Sequence, residues 1–155
     1  MKVIIATVGR PKQQAFAKQI EAYIKRTRSH ATVRIEHVRE ERRGSPTHVR
    51  AAESARLLGL VTGRAYRIAL DEHGDTVTSI ELSERFQNLM NRGHSTWILY
   101  IGGAHGHDTS LLEACNWTWS LSRLTLPHEL ALVFVTEQIY RAFSILAGSP
   151  YHKPG

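Results

Sequence analysis

The 155-residue chain has a single cysteine, Cys115, so no disulfide can form within it. That excludes the disulfide-stapled class of small domains and suits a reducing compartment. Long apolar runs are missing too. No stretch approaches the roughly 18 uncharged apolar residues of a membrane span. The opening MKVIIATVGRPKQ has too short an apolar run for a signal peptide and no small-residue cleavage site. Internal repeats, low-complexity tracts and linkers are also absent. The expectation is one domain over residues 1–155, cytoplasmic and free of the membrane. With 42% hydrophobic residues the composition is globular rather than disordered, and a chain this long buries about two thirds of its unfolded surface.

Charge is unevenly spread. Residues 1–50 hold twelve basic and four acidic side chains, and residues 51–155 hold eight and ten. A basic surface confined to one half suits a polyanion such as RNA, although a basic soluble protein needs no such partner. Arg39, Arg42 and Arg43 form the densest cluster.

The chain alternates strand and helix signals. KVIIATV (2–8) reads as a buried strand ending at Gly9-Arg10-Pro11. Residues 12–27 put Phe16, Ile20, Tyr23 and Ile24 on one helical face. ATVRIEHV (31–38) alternates as a half-buried strand, and Pro46 opens a helix to about Leu58. A third strand covers 65–71, with EHGD (72–75) as a turn, and TSIE (78–81) is a capping box for a helix to about Asn91. STWILYI (95–101) is the fourth strand. A short helix near 109–115, a strand at 118–124 and a long helix from Pro127 toward Gly148 complete the series. This order predicts an α/β fold with a mainly parallel sheet covered on both faces by helices. The segment LALVFV (130–135) is apolar almost all round, which calls for deep burial or cover from another subunit.

YIGGAHGHD (100–108) closes the fourth strand and admits three readings. His105, His107 and Asp108 are metal-ligand types, but the Asp follows the second His directly and is not itself followed by a His to make an Asp-His pair. The glycines follow a strand as a dinucleotide turn does, yet Ile101 occupies the first glycine position. The remaining reading is a glycine turn whose bare backbone meets a ligand at a strand's carboxyl end, where open α/β sheets bind; a tight βα turn without a ligand would look the same. Further on, SLSRLTLPHE (120–129) passes from strand end to turn to helix. Such a turn can line an adenine-sized slot with Leu124 and Leu126 as walls, or place both leucines in the core.

The pieces IGG (101–103), SLSRLTLPH (120–128), EQIYRAFSILAG (137–148) and PYHK (150–153), in that order, resemble the RlmH-type ribosomal RNA methyltransferases. The resemblance runs from the VGRPK turn to the tail. It implies a SPOUT-type fold with a C-terminal trefoil knot, a homodimer, and S-adenosylmethionine as methyl donor. The implied acceptor is N3 of a pseudouridine in helix 69 of 23S rRNA, on the assembled ribosome. Carried onto this sequence, cofactor contacts fall on Leu70, Gly102, Gly103, Ser122, Arg123, Leu124, Thr125, Leu126 and Pro127. The resemblance implies no metal.

Methylating an imide nitrogen requires alignment with the methyl donor and loss of the N3 proton, for which a group with pKa near neutrality is suited. His128 and His152 lie in the matching motifs, with Tyr151 and Arg141 as candidate neighbours. One histidine would position a base or accept the proton; alternatively His128 caps its helix and His152 contacts phosphate. Arg39, Arg42, Arg43 and Lys153 are candidate phosphate contacts. Two positions depart from the family pattern. Ala104-His105-Gly106 follows the paired glycines, and Leu132 stands where an arginine is expected. The second departure supports a competing expectation, a catalytically idle RNA-binding module that retains the fold.

Overall fold

The computed structural model describes residues 1–61 and 63–153. Five strands form one all-parallel sheet in the order β2-β1-β4-β3-β5. They are β1 (Lys2–Val8), β2 (Thr32–Val38), β3 (Tyr66–Thr76), β4 (Thr96–Ile101) and β5 (Trp117–Ser120). The helices are α1 (Gln14–Thr27), α2 (Pro46–Gly59), α3 (Ser79–Asn91), α4 (Thr109–Ala114) and α5 (His128–Leu146).

The central strands explain their own sequences. β1 lies between β2 and β4 and is buried on both faces, so it reads as a continuous apolar run rather than an alternation. Its odd residues, Val3 and Ile5, join the core beneath α1, α3 and α5, and its even residues, Ile4, Ala6 and Val8, join the core on the α2 and α4 side. β4 divides the same way, with Trp97 and Leu99 on the first face and Ile98 and Tyr100 on the second. Trp97 is fully buried, donates from Nε1 to the His94 carbonyl at 2.9 Å, and packs its ring 4.6 Å from Phe86. Trp97→Ala should therefore cost about 3–5 kcal/mol, read as a lower urea midpoint. An unchanged midpoint would mean this layer does not hold the sheet.

Helix starts follow local rules. Ser45 caps α2 through the His48 N–H with Pro46 next to it, and Thr78 with Glu81 forms the expected capping box on α3. α1 and α5 start without a side-chain cap. α1 starts at Gln14, and Glu129 from α5 accepts from the Lys12 and Gln13 amides just before it.

Two boundaries differ from the sequence reading. EHGD is not a turn: β3 continues to Thr76, with a register shift between Leu70 and Asp75 against β5. Gly74 makes this possible, since a Cβ there would lie 2.6 Å from the Thr118 carbonyl oxygen. The last strand stops at Ser120, not near residue 124. Beyond it Ser120 Oγ donates to the Ser122 carbonyl at 2.8 Å, and Ser122 Oγ accepts from the Leu124 amide at 3.0 Å. These local serine bonds take backbone groups that a strand would have paired. α5 is also less uniformly covered than its sequence suggests. Leu132, Val135, Ile139, Ala142 and Phe143 are buried, while Leu130 and Phe134 remain 38% exposed.

Candidate active site

The sheet's pairing brings the sequence-predicted cofactor segments to one edge. Leu70 pairs with Ile101 of β4 on one side and Trp119 of β5 on the other. The Gly102-Gly103 turn and the 121–127 turn therefore leave the two strands that flank β3, on either side of Leu70, which is half-buried. Thr125 Oγ1 donates to Glu72 Oε2 at 2.9 Å, tying the second turn to the extension of β3. Leu124 is 76% exposed, so it stands out from the fold rather than filling the core. Leu126 is half-buried, and Arg123 and Pro127 are exposed. A glycine turn after β4 and a turn with an exposed leucine after β5, both at carboxyl ends beside β3, suit a ligand with an apolar ring and backbone-reading polar edges.

Gly102 and Gly103 have steric reasons to be glycine. A Cβ on Gly102 would lie 2.9 Å from the Gly106 backbone, and one on Gly103 would lie 2.4 Å from Glu53 Oε2. Glu53 is 2% exposed. Its Oε1 accepts from the Glu41 amide at 3.0 Å, and its Oε2 has no partner. The adjacent Ser54 accepts from the Asp108 amide at 3.0 Å. Two neighbouring residues of α2 thus clamp the β2–α2 loop and the β4–α4 loop.

The first of these loops carries the arginine cluster. Glu41 accepts the Arg42 and Arg43 amides, and Arg56 binds both Glu41 Oε2 at 2.6 Å and the Arg39 carbonyl at 2.8 Å. Arg39, Arg42 and Arg43 are exposed above this tied backbone. Arg39 and Arg42 line a cleft of about 350 Å³ with Arg10, Lys12, His37 and His128. Gly103 and Ala104 form its far wall. Arg43 is not among the lining residues.

His128 is the first residue of α5, one position after the cap residue Pro127, and lines this cleft. Tyr151, Arg141 and His152 form a second cluster. Glu137 Oε1 binds Arg141 Nη2 at 2.6 Å and accepts from Tyr151 Oη at 3.0 Å. Arg141 Nη1 lies 3.3 Å from His152 Nδ1, and its guanidinium sits 4.7 Å from the Tyr151 ring centroid. Burial first, then contacts with Tyr23 and Glu137, push the Tyr151 phenol well above its ordinary range, so it is a donor and not a base. Lys153 is exposed beyond this cluster. Arg141 follows His128 by thirteen residues on one helix, about 20 Å along its axis. One chain therefore does not bring its two motif histidines together. Glu137, Glu53, Arg10, Lys12 and His37 were not singled out from the sequence. The i, i+4 spacing of Glu137 and Arg141 was the available signal for the first.

The metal-type residues are used otherwise. Asp108 caps α4 by accepting from the Leu111 amide at 2.9 Å, and His105 is exposed. His107 is 6% exposed; its Nε2 donates to the Tyr100 carbonyl at 3.1 Å and its Nδ1 has no partner. Among the described residues no three His, Cys, Asp or Glu side chains cluster as a metal site. Burial, against the opposing pull of the Tyr100 carbonyl and Asp71, holds the His107 pKa below its ordinary value. Burial lowers His37 as well. The unfolded chain takes up these protons near pH ~6.5 and the folded chain only at lower pH. Between the two, the unfolded state binds more protons, so stability falls as pH drops. Urea midpoints should decline from pH 7 to 5, and His107→Leu should flatten the decline; an equal slope in the variant would remove His107 as a source.

Leu132 is 2% exposed and belongs to the core beneath α1 and α3. It lines no part of the cleft.

A parallel α/β sheet with ligand-type turns at one carboxyl edge and a cationic cleft beside them defines a binding or group-transfer domain. Residues 1–152 match the family described as "Predicted SPOUT methyltransferase". The chain is 36% identical to "Ribosomal RNA large subunit methyltransferase H" of Methylobacillus flagellatus, with 99% of both chains covered. It is 37% identical to the protein of that name from Anaeromyxobacter sp. (strain K), covering 99% of this chain and 100% of that one. A probable methylase family protein from Haemophilus influenzae Rd KW20 shares the fold, with a TM-score of 0.54 and 10% identity over 99% of this chain and 70% of that one. The chain belongs to the SPOUT methyltransferase family, in the group of the ribosomal RNA large subunit methyltransferase H proteins.

Proposed function

We propose that this protein transfers a methyl group from S-adenosylmethionine to N3 of a pseudouridine in helix 69 of 23S rRNA, on the assembled ribosome. The observation that carries the reading is the shared edge. Leu70, the Gly102-Gly103 turn and the 121–127 turn converge beside a cationic cleft, in a chain of this family. The fit to the donor rests on two features. The Gly102-Gly103 turn packs too closely on Gly106 and Glu53 to carry side chains, and Leu124 offers an uncovered apolar side chain on the 121–127 turn.

When bound, the donor supplies an electrophilic sulfonium methyl. The chain's own task is alignment and proton removal. The 121–127 turn, held by Ser120, Ser122 and Thr125, fixes the position of the donor side. His128, at the border of the cleft and next to that turn, is placed to orient the acceptor base or to accept the imide proton. Arg141 and Tyr151 offer donors to the acceptor's oxygens, and His152 is the second proton-accepting candidate.

The roughly 20 Å along α5 between His128 and Arg141 argues for a homodimer, in which the tail of a second copy completes the RNA site. The exposed Leu130 and Phe134 on α5 are apolar surface for such a contact. The chain then acts as one domain over 1–155, in the cytoplasm, with the C-terminal trefoil knot of its family and no metal. Among the described residues no helix is long and apolar enough to cross a membrane. The idle-module alternative drew on Leu132, which the fold uses as core.

Radiolabelled methyl transfer to ribosomes lacking the modification tests the proposal, with free large subunits and naked rRNA in parallel. Label at pseudouridine N3 in assembled ribosomes is expected. Cofactor binding with no label on any substrate would favour the idle module.

A further inference from the structure

We propose that the cleft at the carboxyl ends of β2, β1 and β4 holds the phosphodiester backbone of the acceptor RNA through Arg10, Lys12, Arg39 and Arg42, and delivers the target nucleoside to the border formed by Gly103 and His128. The inference rests on the methyltransferase reading for its direction, but the cleft stands on its own geometry.

The cations come from two loops that are fixed to one another. Gly9, at φ +69°, turns the chain out of β1. Its amide donates to the Val38 carbonyl at 2.9 Å, and its carbonyl accepts from His37 Nδ1 at 2.8 Å. Arg10 and Arg39 therefore rise from adjoining, hydrogen-bonded walls. Glu129 anchors the Lys12 amide from the first turn of α5, directly after His128. The backbone under the cleft is thus preorganised, while all four cationic side chains are exposed. Among the described residues Arg10, Lys12 and Arg39 make no salt bridge, and Arg42 has only a 3.7 Å contact with the exposed Glu40. Such an exposed pair is weak and yields readily to a phosphate.

The donor cannot be what these charges serve. S-adenosylmethionine carries a sulfonium, an ammonium and one carboxylate, a net positive charge with no phosphate. A cleft lined by four cations and one acid, Glu40, repels it and attracts a polyanion. The two halves of the sheet edge therefore divide the substrates: β4, β3 and β5 for the donor, and β2, β1 and β4 for the acceptor strand. β4 and its Gly103 turn are common to both, as a group transfer requires. Phosphate contacts of this kind set register and leave base choice to groups nearer the reacting atom.

The test compares Arg10→Gln/Lys12→Gln with Lys18→Gln/Lys25→Gln, which removes the same charge from the exposed side of α1. Binding of a labelled RNA stem-loop is followed by fluorescence anisotropy across a salt series. KM and kcat are measured on unmodified ribosomes, and S-adenosylmethionine affinity by calorimetry. The cleft variant should bind RNA at least tenfold more weakly, with the slope of log K against log salt shallower by about two. Its KM should rise while kcat and cofactor affinity hold. Equal losses in both double variants, or an unchanged slope in the cleft variant, would overturn the proposal. RNA binding that needs the cleft in a protein that transfers no methyl would instead sink the proposed activity and leave the cleft standing.

Discussion

Gly103→Ala is expected to weaken S-adenosylmethionine binding about tenfold or more, ~1.4 kcal/mol, and to slow transfer with it, while the sheet stays folded. The added methyl would lie 2.4 Å from Glu53 Oε2. A carboxylate end can often swing aside, but this one is poorly placed to do so. Glu53 is 2% exposed and its other oxygen holds the Glu41 amide. Either the glycine turn moves off its level beside Leu70, or Glu53 releases the β2–α2 loop that carries Arg39 and Arg42. The first outcome damages the donor side and the second the acceptor side. Calorimetry separates them, since only the first changes cofactor affinity. A double-mutant cycle with Glu53→Ala checks the cause. Making room beneath the turn should shrink the Gly103→Ala penalty on cofactor binding. A penalty of the same size in both backgrounds would show that the close approach to Glu53 is not why position 103 is glycine.

Glu53 also marks where the sequence could be read and where it could not. Strand and helix order, the buried run of β1 and the capping box at Thr78 all follow from spacing a few residues long. The buried faces of α2 were equally open to such reading. Val49, Glu53 and Leu57 lie at i, i+4 and i+8 and are all buried, so an acid stands in an apolar stripe, a local signal of a polar group with an assigned task. What that task is depends on residues 41 and 103, which only the fold brings to it. The cationic cleft was legible by halves. The 39–43 cluster is dense in sequence, but Arg10 and Lys12 join it only because β1 and β2 are neighbours in register. Alternation in TWSLSRL continues past Ser120 and predicts a longer β5, but Ser120 and Ser122 satisfy the backbone locally. In sequence Leu132 reads as a missing charge, and in the fold it is a core side chain. The motif histidines belong together by motif, and the length of α5 separates them within one chain.

The tail should be the most sensitive part of the acceptor chemistry, and Glu137→Ala is expected to lower single-turnover methyl transfer about a hundredfold with cofactor affinity unchanged. One carboxylate oxygen holds three donors there, Arg141 Nη2 at 2.6 Å, Arg141 Nε at 3.0 Å and Tyr151 Oη at 3.0 Å. Through Arg141 it also sets His152. Removing it leaves a half-buried guanidinium and phenol without their acceptor, at a cost of about 1–3 kcal/mol in stability. The larger effect is on placement, because misalignment by an ångström at a reacting centre costs on the order of 10²-fold. Tyr151→Phe separates the two contributions: it keeps the ring against Tyr140, 4.7 Å away, and removes only the hydroxyl. Its loss should be smaller than that of Glu137→Ala. The pH dependence gives a further check. Because burial and its contacts hold the Tyr151 phenol far above its ordinary range, the rate should show no limb from it up to pH ~10. Hydrogen exchange over residues 149–153 should rise in Glu137→Ala. Wild-type transfer by a variant whose tail exchanges freely would mean that the cluster holds the C-terminus and takes no part in catalysis.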